Sequence, residues 1–351
     1  MVEHINVDSH KLMFHPERVS EWIEKGDCFP VYVEIGLTNV CNHKCIFCGL
    51  DWARGNNSLK TDVLLENLKD MAEQGVKSVC FSGAGEPLLH KDFSLIVRKT
   101  KEYGIDVSFS TNVVLFNEKK AEETLPYASW IRFSLDAATP EIHSRIHGTS
   151  EKDFNIIIDN LSKAVEIKKK NNFQTTLGVQ FLLINENAHE LLELAEICKK
   201  LGVDNLQVKP YSQNPNSINK FSPDYNRLAV LKYELDKISS ENFKVFFRIN
   251  RMESVSNEQN YKVCHGLPFF AIINEKGNVM PCHLYYDMPE FSYGNIYEKD
   301  FSQIWVSEKR KEVLKKIQHA GIHDCKKGCR LDLTNKYLHR LKNPSPHDNF
   351  I

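Results

Sequence analysis

The chain has 351 residues, and its 45 Lys+Arg nearly cancel its 46 Asp+Glu to leave a formal net charge of −1. That balance offers no basic field for nucleic acid, and no apolar run approaches the roughly 18 residues a membrane helix needs, so neither partner is expected. Hydrophobic residues at 42% and charged residues at 26% describe a folded globular chain, not a disordered one.

The opening MVEHINVDSHK is polar, with no apolar signal stretch, so the expected location is cytoplasmic. HPERVSEWIEKG (15–26) predicts a helix, with Pro16 in its first turn and Gly26 as its stop. VYVEIGL (31–37) alternates and reads as a strand. Further strands are read at 76–83, 105–111, 129–136, 175–184 and 203–211, separated by helices at 61–75, 91–103, 116–125, 140–170 and 186–202. Six strands alternating with helices imply parallel pairing with right-handed crossovers, in an open sheet or a partial barrel. Either form binds its ligand at the carboxyl ends of the strands.

The pattern changes after 212. SQNPNSINKFSPD reads as a linker, followed by a helix (223–240), the strand NFKVFFRI, a hairpin over 269–282, a helix at 301–318 and a polar tail. The expected organisation is an N-terminal extension (1–30), a β/α domain (31–212), and a linker with a small C-terminal α+β domain (213–351).

Seven of the ten cysteines are clustered or paired. In a reducing compartment such clusters point to metal. Cys41-Asn-His-Lys-Cys45-Ile-Phe-Cys48 follows the first strand directly. Three thiolates on one short loop can hold three corners of an iron–sulfur cube and leave one iron open. A zinc loop borrowing a distant ligand such as His43 is the other reading. Cys264 and Cys282 flank the predicted hairpin, and Cys325-Lys-Lys-Gly-Cys329 follows. Two pairs of thiolates can close a complete site, for a cluster or for zinc. Cys80 and Cys198 read as small buried hydrophobes.

The CxxxCxxC spacing, with Phe47 before the third cysteine and a βα run behind it, resembles the radical S-adenosylmethionine family. The resemblance implies a partial (βα)6 TIM-like barrel. It also implies a 4Fe-4S cluster on Cys41, Cys45 and Cys48 whose open iron is chelated by S-adenosylmethionine. Reductive cleavage then yields a 5′-deoxyadenosyl radical that abstracts hydrogen from substrate, with a reducing partner such as flavodoxin or ferredoxin. Ser82-Gly83-Ala84-Gly85-Glu86-Pro87 resembles the family's glycine-glycine-glutamate element, although Ala84 interrupts the glycines. Gly83 and Gly85 would admit the ligand to the backbone, and Glu86 would hold its ammonium. Ser110-Thr111-Asn112 and Ser134-Leu135-Asp136 resemble the next two elements. Phe47, Thr111, Asn112, Ser134 and Arg145 are accordingly expected at the cofactor.

The C-terminal spacing CX12GX4C is similar to the SPASM/Twitch extension. The chain lacks the CxxCxxxxxC run of a full SPASM domain, so one auxiliary 4Fe-4S cluster is expected, on Cys264, Cys282, Cys325 and Cys329. Some thirty residues before the first strand are too few for the N-terminal domain that many peptide-modifying members carry. A small-molecule substrate, a sugar or cyclitol, is therefore favoured, undergoing oxidation, dehydration or epimerisation. The alternative is a maturase acting on a ribosomal peptide or protein, and the remote one a two-cluster electron carrier. Gln180, Lys209, Tyr211 and Arg248, with Arg251 beside the last, are the candidate substrate contacts.

Overall fold

The structure is a computed structural model describing residues 9–225, 230–256 and 259–350. Ten strands form one sheet: β1 (Tyr32–Ile35), β2 (Ser78–Phe81), β3 (Asp106–Thr111), β4 (Ala128–Ser134), β5 (Thr176–Leu183), β6 (Asn205–Pro210), β7 (Lys244–Phe247), β8 (Phe270–Ile273), β9 (Asn278–Met280) and β10 (Gly294–Asn295). Their order is β10-β9-β8-β1-β2-β3-β4-β5-β6-β7, so the sheet curls into a partial barrel and does not close. Pairs β1 to β7 are all parallel, as βα alternation requires.

Strand alternation sorts the side chains. Val33, Val79, Phe109, Phe133, Val179 and Val208 are fully buried on the helix side. There an aromatic ladder runs Phe81–Phe93–Phe109–Phe116–Phe133, with centroids 5.0–6.4 Å apart. The alternate positions Glu34, Ser82, Ser110, Arg132, Gln180 and Lys209 face the concave side and make it polar.

The first six strands lie where the alternation predicts them. The seventh, expected in the C-terminal region, is instead part of the same sheet: NFKVFFRI pairs in parallel with β6 (Val208↔Phe247), and the sheet continues across residue 212. The hairpin β8–β9 joins at the other edge, β8 pairing in parallel with β1 (Val33↔Ala271). Every residue of β8, FAII, is buried, which a strand covered on both faces requires.

Two long helical readings are each divided. Residues 140–170 form Pro140–His147 and Glu151–Lys170, broken at Gly148 with φ +58°. Residues 301–318 form Phe301–Trp305 and Glu308–Ala320, with Ser307 capping the second by accepting from Arg310 N–H. The expected polar tail instead contains the helix Asp332–Lys342. Its inward positions include polar ones that carry no apolar signal: Asp332 accepts from Tyr261 Oη at 2.8 Å, and Asn335 Oδ1 from Gly266 N–H at 2.8 Å. Of the helix expected at 223–240, Leu231–Ile238 is present and 226–229 lie outside the described residues. Among the described residues no helix is long and apolar enough to cross a membrane.

Candidate active site

A cavity of about 390 Å³ opens at the carboxyl ends of the strands. Cys41, Cys45 and Cys48 line one wall, on the loop after β1. Neighbouring strand ends hold that loop. Glu86 N–H donates to Val40 C=O at 2.9 Å, Asn112 Nδ2 to Asn42 Oδ1 at 2.7 Å, and Lys44 N–H to His147 C=O at 2.9 Å. The segment read as a linker packs over the same loop: Asn214 Nδ2 reaches Gly49 C=O at 3.1 Å and Ser217 Oγ reaches Cys48 C=O at 3.3 Å.

Gly83 and Gly85 also line the cavity, yet the space their missing side chains leave is taken by protein. A Cβ on Gly85 would sit 2.3 Å from Val40 O, and one on Gly83 2.7 Å from Gly36 Cα. These glycines let the β2 loop press against β1 and the cysteine loop. The tight contact at their Cβ positions is between two backbones.

Glu86 is 3% exposed. Its Oε2 accepts from Asn112 N–H at 2.7 Å and its Oε1 from Leu88 N–H at 3.2 Å. Burial raises its carboxyl to about 7, with the Asn112 amide the chief opposing influence. Thr111 Oγ1 accepts from the N–H of Val113, whose φ of +72° is an outlier for a β-branched residue and marks the sharp turn after β3. Phe47 is buried edge-on against His147, with centroids 5.3 Å apart. Ser134, Gln180, Lys209 and Tyr211 line the cavity, and Lys209 Nζ donates to Gln180 Oε1 at 2.9 Å.

Two expected residues are not brought to the cavity. Arg145 is exposed, with Nη2 donating to Glu186 C=O at 3.3 Å. On its helix Ile142, His143, Ile146 and His147 take the buried face, and helical spacing sends position 145 outward. Arg248 does not line the cavity, whereas Arg251 does, from the helix Ile249–Ser256.

Other residues at the site escaped sequence reading. Behind Cys45, His147 Nδ1 lies 3.3 Å from Sγ, while its Nε2 meets Leu135 C=O at 3.0 Å and Asp136 Oδ2 at 3.3 Å. Burial disfavours charge on both partners, but each stabilises the other's ion. The Cys45 thiol falls to about 6 and the His147 imidazolium rises to about 10. His143 and His147, four apart on one helix, were the available signal. Arg132 and Glu34 had none beyond their inward strand parity.

Cys264, Cys282 and Cys325 border a second cavity of about 70 Å³. Burial first, and then the nearness of Cys329, raises all three thiols, Cys264 and Cys325 to about 12. Thiols that resist ionisation together are suited to sharing a cation. In neither cysteine set do three sulfurs gather within 4.8 Å of one another. A single tetrahedral zinc with Zn–S near 2.3 Å would hold sulfurs about 3.8 Å apart, so the wider spacing fits a polynuclear cluster. Among the described residues the group that does gather so closely is Cys45 with His43 and His147, and all three line the first cavity with Cys41 and Cys48. The two sites share one loop: Lys326 and Arg330, between and beyond Cys325 and Cys329, line the first cavity. Arg330 is ion-paired with Glu34 of β1.

Residues 35–204 match the model of the radical SAM superfamily, and residues 264–330 match that of SPASM, an iron–sulfur cluster-binding domain. The tungsten-containing aldehyde ferredoxin oxidoreductase cofactor-modifying protein of Pyrococcus furiosus is 25% identical over 299 residues, 79% of this chain and 81% of its own. A probable GTP 3′,8-cyclase of Methanocaldococcus jannaschii is 28% identical over 218 residues, 60% of this chain and 69% of its own. Among solved structures, Streptococcus suis SuiB bound to S-adenosylmethionine superposes with a TM-score of 0.66 at 19% identity, over 86% of this chain and 72% of that one. Native anSMEcpe with bound AdoMet and a Cp18Cys peptide superposes with a TM-score of 0.59 at 17% identity, over 90% and 99%.

Proposed function

On the premise that this chain belongs to the radical S-adenosylmethionine superfamily and carries a C-terminal SPASM domain, we propose that it is an enzyme that modifies a peptide or a segment of a protein. The observation that carries the reading is a matter of coverage. This chain spans 99% of the anSMEcpe chain seen with a bound peptide. A chain over which this one superposes almost entirely is thus seen with a peptide, which supports the reading. That weakens the ground on which the sequence favoured a small molecule. SuiB, seen with its precursor peptide SuiA, has the same fold, with a TM-score of 0.67.

When bound, the three-cysteine cluster and S-adenosylmethionine supply a 5′-deoxyadenosyl radical able to take a hydrogen atom from an unactivated carbon. Cys41, Cys45 and Cys48 would hold that cluster, and Cys264, Cys282, Cys325 and Cys329 the auxiliary one. Glu86 would accept from the ligand ammonium, since a carboxylate buried beside two backbone donors is fixed in place before the ligand arrives. Phe47, Asn112 and Ser134 would complete the wall around it. Gln180, Lys209 and Tyr211, which also line the cavity, would meet the substrate.

A small polar molecule is the second reading, favoured by the polar, charged concave face of the barrel. One experiment separates the two. Reduced, reconstituted enzyme with S-adenosylmethionine is given either the peptide fraction or the low-molecular-mass fraction of a cell extract. Release of 5′-deoxyadenosine should rise with the peptide fraction, together with a mass change in one peptide. A rise with only the low-molecular-mass fraction would overturn the peptide reading.

A further inference from the structure

The concave face carries more positive charge than it answers. Arg132 on β4 and Lys209 on β6 both project into the cavity, with Arg251 from the helix Ile249–Ser256 above them. Lys209 Nζ has a neutral partner, Gln180 Oε1. Arg251 Nη2 donates to a neutral partner, the Gly328 carbonyl, at 2.6 Å. Arg132 lies 5.8 Å from the centroid of the Trp130 ring, and its buried Nε has no hydrogen-bond partner. Among the described residues no carboxylate oxygen stands within 4.0 Å of the Arg132 or Lys209 nitrogens.

The carboxylates nearby are committed elsewhere. Glu34 is paired with Arg330 and His283, Asp136 with His147 and Leu182 N–H, Glu86 with two backbone amides, and Asp332, whose charge reaches Arg251, with Lys336 and Tyr261 Oη. Burial, then the charges of Arg132, Arg248, Arg251 and Arg330, holds the Lys209 ammonium well below the usual lysine range. Ser110 Oγ, also on this wall, is buried without a partner. Charges gathered inside a barrel without counter-ions are costly, and natural sites retain them where a ligand supplies the opposite charge.

We infer that Arg132, Lys209 and Arg251 form an anion-binding subsite that receives a carboxylate or phosphate group of the substrate and holds it at the floor of the cavity. The subsite deepens the reading of this cavity as the place of substrate binding and rests on that reading. It does not depend on whether the anion belongs to a peptide, as an acidic side chain or terminus, or to a smaller molecule. A planar guanidinium donates to two oxygens side by side, and the lysine adds a point charge, which together suit either group. Held there, the anion fixes which carbon of the substrate faces the cysteine-loop wall.

The test uses the full chain, reconstituted, unreduced and saturated with S-adenosylmethionine, titrated calorimetrically at constant ionic strength with inorganic phosphate and, separately, succinate. At least one should bind, and Lys209→Gln and Arg132→Gln should each weaken it roughly tenfold or more, the loss of one charge-assisted hydrogen bond. Lys163→Gln, an exposed change on the outer helix Glu151–Lys170, should leave it unchanged. The tighter probe identifies the anion as carboxylate or phosphate. The inference is overturned if neither probe binds, if binding survives both substitutions, or if the probes bind only without S-adenosylmethionine, since the cations would then serve the cofactor's own carboxylate. The parallel measurement is uncoupled 5′-deoxyadenosine release by the reduced wild type. Its absence would sink the reading of the cavity as a radical site, whereas its presence with no anion binding would sink the subsite alone.

Discussion

Replacing Glu86 by Gln isolates one charge at the proposed cofactor site. The wild-type carboxylate accepts two backbone N–H groups, from Asn112 at 2.7 Å and Leu88 at 3.2 Å. An amide has one acceptor oxygen, so its NH2 must face the other donor, leaving a buried N–H unsatisfied at a cost of about 1–3 kcal/mol in stability. Ligand binding loses a charge-assisted hydrogen bond worth about 1.5–3 kcal/mol, which is roughly 10- to 150-fold in affinity. The pH dependence gives a second readout. With its folded value raised to about 7 from the ordinary 4.5, Glu86 holds its proton longer in the folded, ligand-free protein than in the unfolded chain. Its contribution to stability is therefore lost as pH rises from about 4.5 to about 7 and is level above that, a span of about 3 kcal/mol. Cofactor affinity runs the other way, strengthening as pH rises through 7 and the carboxylate forms. Anaerobic calorimetry with S-adenosylmethionine at pH 6, 7 and 8 should show that slope in the wild type and not in Glu86→Gln. Equal affinity and equal slope in the two proteins would refute the assignment of Glu86 to the ligand ammonium.

Reconstituted protein should contain about eight iron and eight sulfide, and replacing Cys41, Cys45 and Cys48 together by Ala should leave about four, counted by iron and sulfide analysis; tightly held zinc without sulfide would contradict both clusters. Replacing Cys325 and Cys329 by Ala should spare uncoupled release of 5′-deoxyadenosine while substrate turnover falls, with circular dichroism reporting whether the C-terminal region stays folded once its metal is lost. His147→Ala removes a positively charged donor from the Cys45 sulfur, so the midpoint of the first cluster, followed by spectroscopic redox titration, should move to more negative potential. An unchanged midpoint would confine His147 to packing against Phe47 and His43.

What the sequence determined alone was local. Strand and helix periods, Gly26 as a helix stop, and three cysteines four and three residues apart are properties of short segments, and the chain realises them wherever those segments fold. The motif residues at successive strand ends were legible for the same reason, because parallel strands bring their carboxyl ends to one mouth whatever lies between them. The tertiary structure decided matters that depend on which face a residue meets. Curling of the sheet turned Glu34, Arg132, Gln180 and Lys209 inward as one polar surface, which strand parity allows but does not require. It gave the cavity Arg251 and left Arg145 outside, because each helix buried its apolar face first. It also attached β7 and β8 to opposite edges of the barrel sheet and drew Lys326 and Arg330 from the auxiliary cysteine loop into the first cavity. An ion pair such as Arg330–Glu34 joins residues almost three hundred positions apart, and nothing in either local segment records its partner, since the interaction exists only once hydrophobic burial has closed the fold around it.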